Sequence, residues 1–202
     1  MNIIEPCCYE KQLTETLTRI EGATGVAHLY SFSDWDLTAL LPFFAARTPG
    51  GDITVCMPRL APETMAMLRG LMKRVYVDTA TKEERKLVSR LTLIINQPDI
   101  EEKAQLYNFL GGCDERLVLC EDRIGFRALM MSDGKRHFVI QGSINQGKSD
   151  YTQMFTLTTG RALYDEAMEL INGKRKLKAV KGWAGKYKEI VDRQWSVMNV
   201  DV

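Results

Sequence analysis

Histidine is scarce in this sequence: His28 and His137 are the only two. A histidine-rich metal centre is therefore not expected. Cysteine occurs five times, as Cys7, Cys8, Cys56, Cys113 and Cys120, but the number is odd, two are adjacent and no C-x-x-C pair occurs. That pattern points away from a disulfide framework and from a zinc site. Reduced, buried or inert thiols in a cytoplasmic protein are the simplest reading. No apolar run is long enough to cross a bilayer, so no membrane span is expected. The first residues, Met1-Asn2-Ile3-Ile4-Glu5-Pro6, lack a basic region followed by an apolar one, so no signal peptide is expected either. No cofactor and no metal ligand set is called for.

What is present fits an ordinary folded domain. The chain has 202 residues, 45% of them hydrophobic and 26% charged. This length suits one domain with a helical appendage, placed at residues 1–172 and 173–202. The net charge of +1 conceals an asymmetry. Residues 173–202 hold eight Lys and Arg against three acids, and the remainder is net acidic. A basic segment on a mildly acidic body is a candidate attachment surface for polyanions.

Periodicity places the elements. Leu13, Leu17 and Ile20 share a helical face over residues 10–21, and Gly22 and Gly25 end that helix. Residues 26–32 read as the first strand, followed by a helix that Ser33 or Asp34 can cap. Residues 53–57 form a buried strand. Pro62 starts a helix to about Lys73. Residues 78–90 are polar and read as a loop and helix, and 91–95 as a strand. Pro98-Asp99 opens a helix over 100–110, which Gly111-Gly112 breaks, and 117–120 is a strand. Residues 125–131 and 137–141 form a hairpin around Ser132-Asp133-Gly134-Lys135, with Asp-Gly as the turn signal. A strand at 153–158, a helix at 161–171 and a basic helix over about 178–195 complete the chain. The fold expected is α/β, a mixed, largely parallel sheet flanked by helices.

The stretch 126–149 is the richest in chemistry. Residues 142–149, Gly142-Ser143-Ile144-Asn145-Gln146-Gly147-Lys148-Ser149, satisfy G-x-x-x-x-G-K-S/T letter for letter. In such a phosphate loop, backbone N–H groups wrap a phosphate, the lysine neutralises charge and the serine holds Mg²⁺. A helix should then begin at Lys148-Ser149. The residues that follow, Tyr151 to Thr159, are rich in β formers instead. No later apolar strand ends in an acid to complete a nucleotide site.

The order strand, Asp133-Gly134 turn, strand, Gly142-Ser143-x-Asn145, strand resembles the phospholipase D-like superfamily, whose motif is H-x-K-x4-D followed by G-S-x-N. Asp133 matches the motif aspartate, and Gly142, Ser143 and Asn145 match the second word. Gln153 lies near a position where members carry a glutamate. The departures fall on the chemistry. The resemblance gives the phosphoryl-accepting histidine and the phosphate-binding lysine to positions that are Phe126 and Ala128 here. Phenylalanine cannot attack phosphorus and alanine holds no charge, so the covalent route is closed. His137 could stand in only if register brought it across. The resemblance thus implies a degenerate, non-catalytic domain. It also implies a homodimer, because members with one motif copy pair two copies.

Each of these residues also has a plainer role. Ser143 and Asn145 suit a tight turn, Asp133 suits Asp-Gly, and His28, Trp35 and Phe43-Phe44 suit a core. In the tail, Lys174, Arg175, Lys176, Lys178, Lys181, Lys186 and Lys188 interleave with Trp183 and Tyr187. Basic residues neutralise nucleic-acid phosphates and aromatics stack on unpaired bases. The alternative is a solvated helix face whose stripe of Val180, Trp183, Tyr187, Ile190 and Val191 packs back on the domain. The reading reached is a non-catalytic phospholipase D-like domain that binds DNA or RNA, or serves as an accessory module. The alternatives are a residual phosphodiesterase using His137 and Asp133, or nucleotide binding through Lys148. Ser143, Asn145, Lys148 and Gln153 are the candidate ligand-binding residues.

Overall fold

Local signals set the helices. The computed structural model describes residues 2–6, 10–20, 25–32, 37–144, 146, 152–172 and 177–198. Helix α1 spans Glu10–Ile20, α2 Leu37–Arg47, α3 Pro62–Lys73 and α4 Ile100–Leu110. Pro62 occupies the first turn of α3, where its missing N–H costs nothing. Asp99 starts α4 through a reciprocal cap: its carboxylate accepts from Glu102 N, and Glu102 accepts from Asp99 N. The expected break at Gly111 is a tightening instead, and the chain continues as a 3-10 turn over Gly111–Arg116. Arg116 secures that turn by donating to the carbonyls of Val88 and Met72 at 2.6 and 2.5 Å. Helix α5 spans Arg161–Asn172 and α6 Trp183–Met198. Ser33 and Asp34, the expected cap of α2, lie outside the described residues.

The strands are β1 (Asn2–Pro6), β2 (Val26–Phe32), β3 (Gly51–Cys56), β4 (Val75–Val77) and β5 (Glu84–Lys86), then β6 (Val88–Ile95), β7 (Leu117–Glu121), β8 (Ala128–Ser132), β9 (His137–Gly142) and β10 (Thr152–Thr159). Eight of them form one sheet in the order β1-β2-β10-β9-β8-β3-β6-β7. The fold is α/β with a mixed sheet, as expected, but it is not largely parallel. The pairs β1–β2, β3–β6 and β6–β7 are parallel, and the four pairings between β2 and β3 are antiparallel. The reason is topological: the hairpin β8–β9 and its successor β10 insert in the middle of the sheet instead of adding to an edge.

Three further expectations are corrected. The first strand is β1, not β2. Residues 78–90 hold no helix. They contribute to a β4–β5 ribbon closed by Asp78, which accepts from the N–H groups of Ala80 and Thr81 at 2.8 and 3.2 Å. Both strands of that ribbon are three residues long and mostly exposed, so no apolar alternation announces them. The last helix also begins later than expected. Residues 177–181 lie along the free edge of β7, where Ala179 bridges Cys120 and Val180 N–H donates to Leu119 O at 2.7 Å. This segment covers backbone groups that an open edge would leave unpaired.

Side chains alternate across the sheet and so divide between two cores. Leu129 and Met131 of β8, Phe138 and Ile140 of β9, and Phe155 and Leu157 of β10 enter the larger core, shared with α1, α2, α3, α4 and α6. Ala128, Met130 and Val139 enter the smaller one, covered by α5 and joined by Cys56, Ile94 and Cys120. Burial pushes the Cys56 thiol up to about 12, with neighbouring Cys120 adding to it. Phe44 of α2 is fully buried and its ring centroid lies 5.0 Å from that of Phe138. It thereby fastens the helical layer to the centre of the sheet. Phe44→Ala is expected to lower the unfolding free energy by about 3–5 kcal/mol, measured by urea denaturation.

Candidate functional site

The β8–β9–β10 meander and its connections carry the described motif residues Ala128, Asp133, Gly142 and Ser143. Its two ends do different work. At the hairpin tip, Asp133 Oδ1 accepts from the N–H groups of Lys135 and Arg136 at 2.9 and 2.6 Å. Its Oδ2 receives the Arg136 guanidinium at 3.1 and 3.0 Å. Burial alone pushes the Asp133 carboxyl up, but the Arg136 and Lys135 N–H bonds and the guanidinium outweigh it and hold it below its ordinary range. His137 opens β9, with Nδ1 2.8 Å from Ser132 Oγ and its ring 5.3 Å from that of Tyr164. Ser132 Oγ also accepts from Gly134 N–H at 3.1 Å, so the hydroxyl and imidazole clamp the turn.

This end holds a feature that no sequence motif signals. Cross-strand register aligns Arg90 with Asp52, Asp52 with Ser132, and Ser132 with His137. The result is a polar row across four strands. Desolvation raises the Asp52 carboxyl above its ordinary range, and the Arg90 charge only partly offsets this. Tyr164 is raised too, first by burial and then by the charges of Asp52 and Asp165. Only the register brings these residues together, which is why spacing along the chain does not reveal them.

The opposite end of β9 lies about 17 Å away at ~3.4 Å per residue. Here Gly142 has φ +143°, and a Cβ at this position would sit 2.4 Å from Met154 O and 2.8 Å from Phe155 Cα. Only glycine allows β10 to approach so closely. Ser143 then ties the same point. Its N–H and hydroxyl donate to Met154 O at 2.9 and 3.0 Å, and its hydroxyl accepts from Met154 N–H at 2.8 Å. Ile144 is fully buried, and its carbonyl accepts from Arg127 Nη1 at 2.8 Å. Gln146 docks the loop on the start of α3, accepting from Ala61 N–H and donating to Arg59 O, each at 2.6 Å. Asn145 and Lys148 lie outside the described residues. Gln153 is buried in β10 with the parity of Phe155 and Leu157, on the side of the larger core. The strand Thr152–Thr159 stands where a phosphate loop needs a helix.

Among the described residues, the expected site residues therefore do not converge. Asp133 and His137 belong to one end of the meander, and Ser143 to the other. Between β8, β9 and α5 lies a cavity of about 270 Å³ into which Phe126 and Ala128 face, together with Ile94, Val139, Gln141 and Ile171. At the two positions where the resemblance calls for a nucleophile and a phosphate-binding lysine, the wall is hydrocarbon.

In the C-terminal segment, Lys178, Lys181, Lys186 and Lys188 are exposed, and Lys188 is paired with Asp192. Lys174, Arg175 and Lys176 lie outside the described residues. Trp183 and Tyr187 are not stacking platforms, because both are buried against the larger core and meet each other edge-to-face at 5.7 Å. The Tyr187 hydroxyl donates to Glu121, and burial with that bond raises it above its ordinary range. Among the described residues, no group of three His, Cys, Asp or Glu side chains is arranged to hold a metal ion, and no helix is long and apolar enough to cross a membrane. No protein-family model matches the chain, and no curated protein is similar to it.

Gly142→Ala should cost at least about 2 kcal/mol, since it combines left-handed backbone strain with a backbone clash. Ser143→Ala should cost about 1–2 kcal/mol, through loss of the Met154 tie. Urea denaturation measures both. Asp133 has its carboxyl pKa lowered by folding, so its contribution is present above the ordinary value of 3.8 and disappears as pH falls through the lowered one. Asp133→Asn should lower stability at neutral pH and show a shallower acid-side loss than the parent, followed as Tm against pH.

Proposed function

We propose that this chain is a non-catalytic phospholipase D-like domain that binds a polyanion, DNA or RNA, through its basic C-terminal segment. One observation carries the non-catalytic part: Phe126 and Ala128 line an apolar cavity, so neither nucleophile nor phosphate-binding charge stands there. The adjacency of β8, β9 and β10 supports the resemblance, because the strand, turn, strand, Gly-Ser, strand order folds as one continuous meander. The polyanion part rests on Lys178, Lys181 and Lys186, which are exposed on the segment with the most lopsided charge. With Trp183 and Tyr187 buried, recognition is by phosphate neutralisation and is indifferent to base identity. The homodimer implied by the resemblance belongs to the same proposal, as does a cytoplasmic setting. The buried free thiols of Cys56, Cys113 and Cys120 suit the latter.

Fluorescence anisotropy with a labelled single-stranded oligonucleotide tests the reading. Binding should weaken steeply between about 50 and 200 mM salt. The triple variant Lys178→Glu/Lys181→Glu/Lys186→Glu should bind at least about tenfold more weakly, and should flatten the slope of log K against log salt by about 2. Absence of binding at the lower salt, or binding insensitive to salt, overturns the polyanion assignment. Sedimentation of the parent protein measures the dimer.

A further inference from the structure

The cavity beneath α5 does more than record a lost charge. We propose that it is a binding site for a small bicyclic aromatic molecule bearing one hydrogen-bonding group, of the indole or naphthol class. The proposal is independent of the polyanion reading, because its ligand carries no phosphate.

Size comes first. The cavity holds about 270 Å³. A dry apolar cavity of about 150 Å³ accommodates a single benzene ring, so this one suits two fused rings. Its walls come next. Ile94, Ala128, Met130 and Val139 line the sheet side, while Ala167 and Ile171 close it from α5. Among the described residues of the lining there is no Lys, Arg or His, so these residues offer an anionic group no counter-charge for its lost hydration.

The polar groups of the lining are Asp122 and Gln141. Gln141 is exposed, and its amide both donates and accepts, which matches a hydroxyl or ring N–H on the ligand. A mostly hydrocarbon pocket with a few orienting polar groups is the usual build of a small-molecule site. The rim agrees. Phe126 is 37% and Leu170 54% exposed, and both belong to the lining. An aromatic ligand would cover that hydrocarbon, and the Phe126 ring offers it an edge-to-face partner.

Calorimetry on the full chain with 2-naphthol and with 2-naphthyl phosphate as probes decides the matter. Saturable binding of 2-naphthol with one site per chain is expected, with a rise in Tm, and 2-naphthyl phosphate should bind at least tenfold more weakly. Ala167→Phe fills the cavity from α5 and should weaken 2-naphthol at least tenfold. Ala128→Leu fills it from β8 and should do the same, so the test survives if one variant misfolds by circular dichroism. The proposal falls if the parent binds no 2-naphthol up to its solubility limit, which is also the result expected if the chain itself fills the space. It falls equally if a folded filled variant binds as the parent does, or if the phosphate ester binds as well as the naphthol.

Discussion

The rest of this structure depends on the burial of β8 and most of β9 on both sides. They sit between β2 and β3, in the middle of an eight-stranded sheet. Each buried apolar residue there enters one of two cores, and its parity decides which. Leu129, Phe138, Ile140 and Phe155 hold the helical layer through contacts such as Phe44 on Phe138. Ala128, Met130 and Val139 are left to the smaller core under α5. A shift of one residue in register would exchange the two sets and place hydrocarbon where polar groups now stand.

That constraint explains why motif-like residues are spent on structure. Gly142 exists to let β10 pass at a distance no Cβ would permit. Ser143 then uses both its N–H and its hydroxyl on Met154. Asp133 spends both carboxylate oxygens on its own turn. These residues belong to the words that resemble the phospholipase D-like motif, and each has a local structural role. The positions to which the resemblance would give a histidine and a lysine, Phe126 and Ala128, line an apolar pocket. The two cores thus differ in character: the larger packs most of the helices on the sheet, and the smaller borders an open pocket.

The C-terminal segment follows the same logic. Its described aromatic side chains, Trp183 and Tyr187, face inward, Trp183 against Tyr187 and Tyr187 against Glu121, while its described lysines face water. Residues 177–181 close the β7 edge before α6 begins, so the basic segment is tied to the sheet by backbone pairing as well as by packing.

The amino-acid sequence alone determined the elements whose signals are local. Pro62 and Asp99 place two helix starts, Asp133-Gly134 places the hairpin, and the β formers after Tyr151 exclude the helix of a phosphate loop. It also offered the resemblance to the phospholipase D-like motif, with Phe126 and Ala128 at the positions of that motif's histidine and lysine. The β4–β5 ribbon escaped because three-residue exposed strands carry no periodic pattern. Only the tertiary structure decided that the hairpin enters the centre of the sheet, that Gln153 and Trp183 face inward, and that Arg90, Asp52, Ser132 and His137 share a row. It alone opened a cavity beside Phe126. Each of these depends on which strands become neighbours and in what register, and non-local pairing leaves no trace in the spacing of residues along one chain.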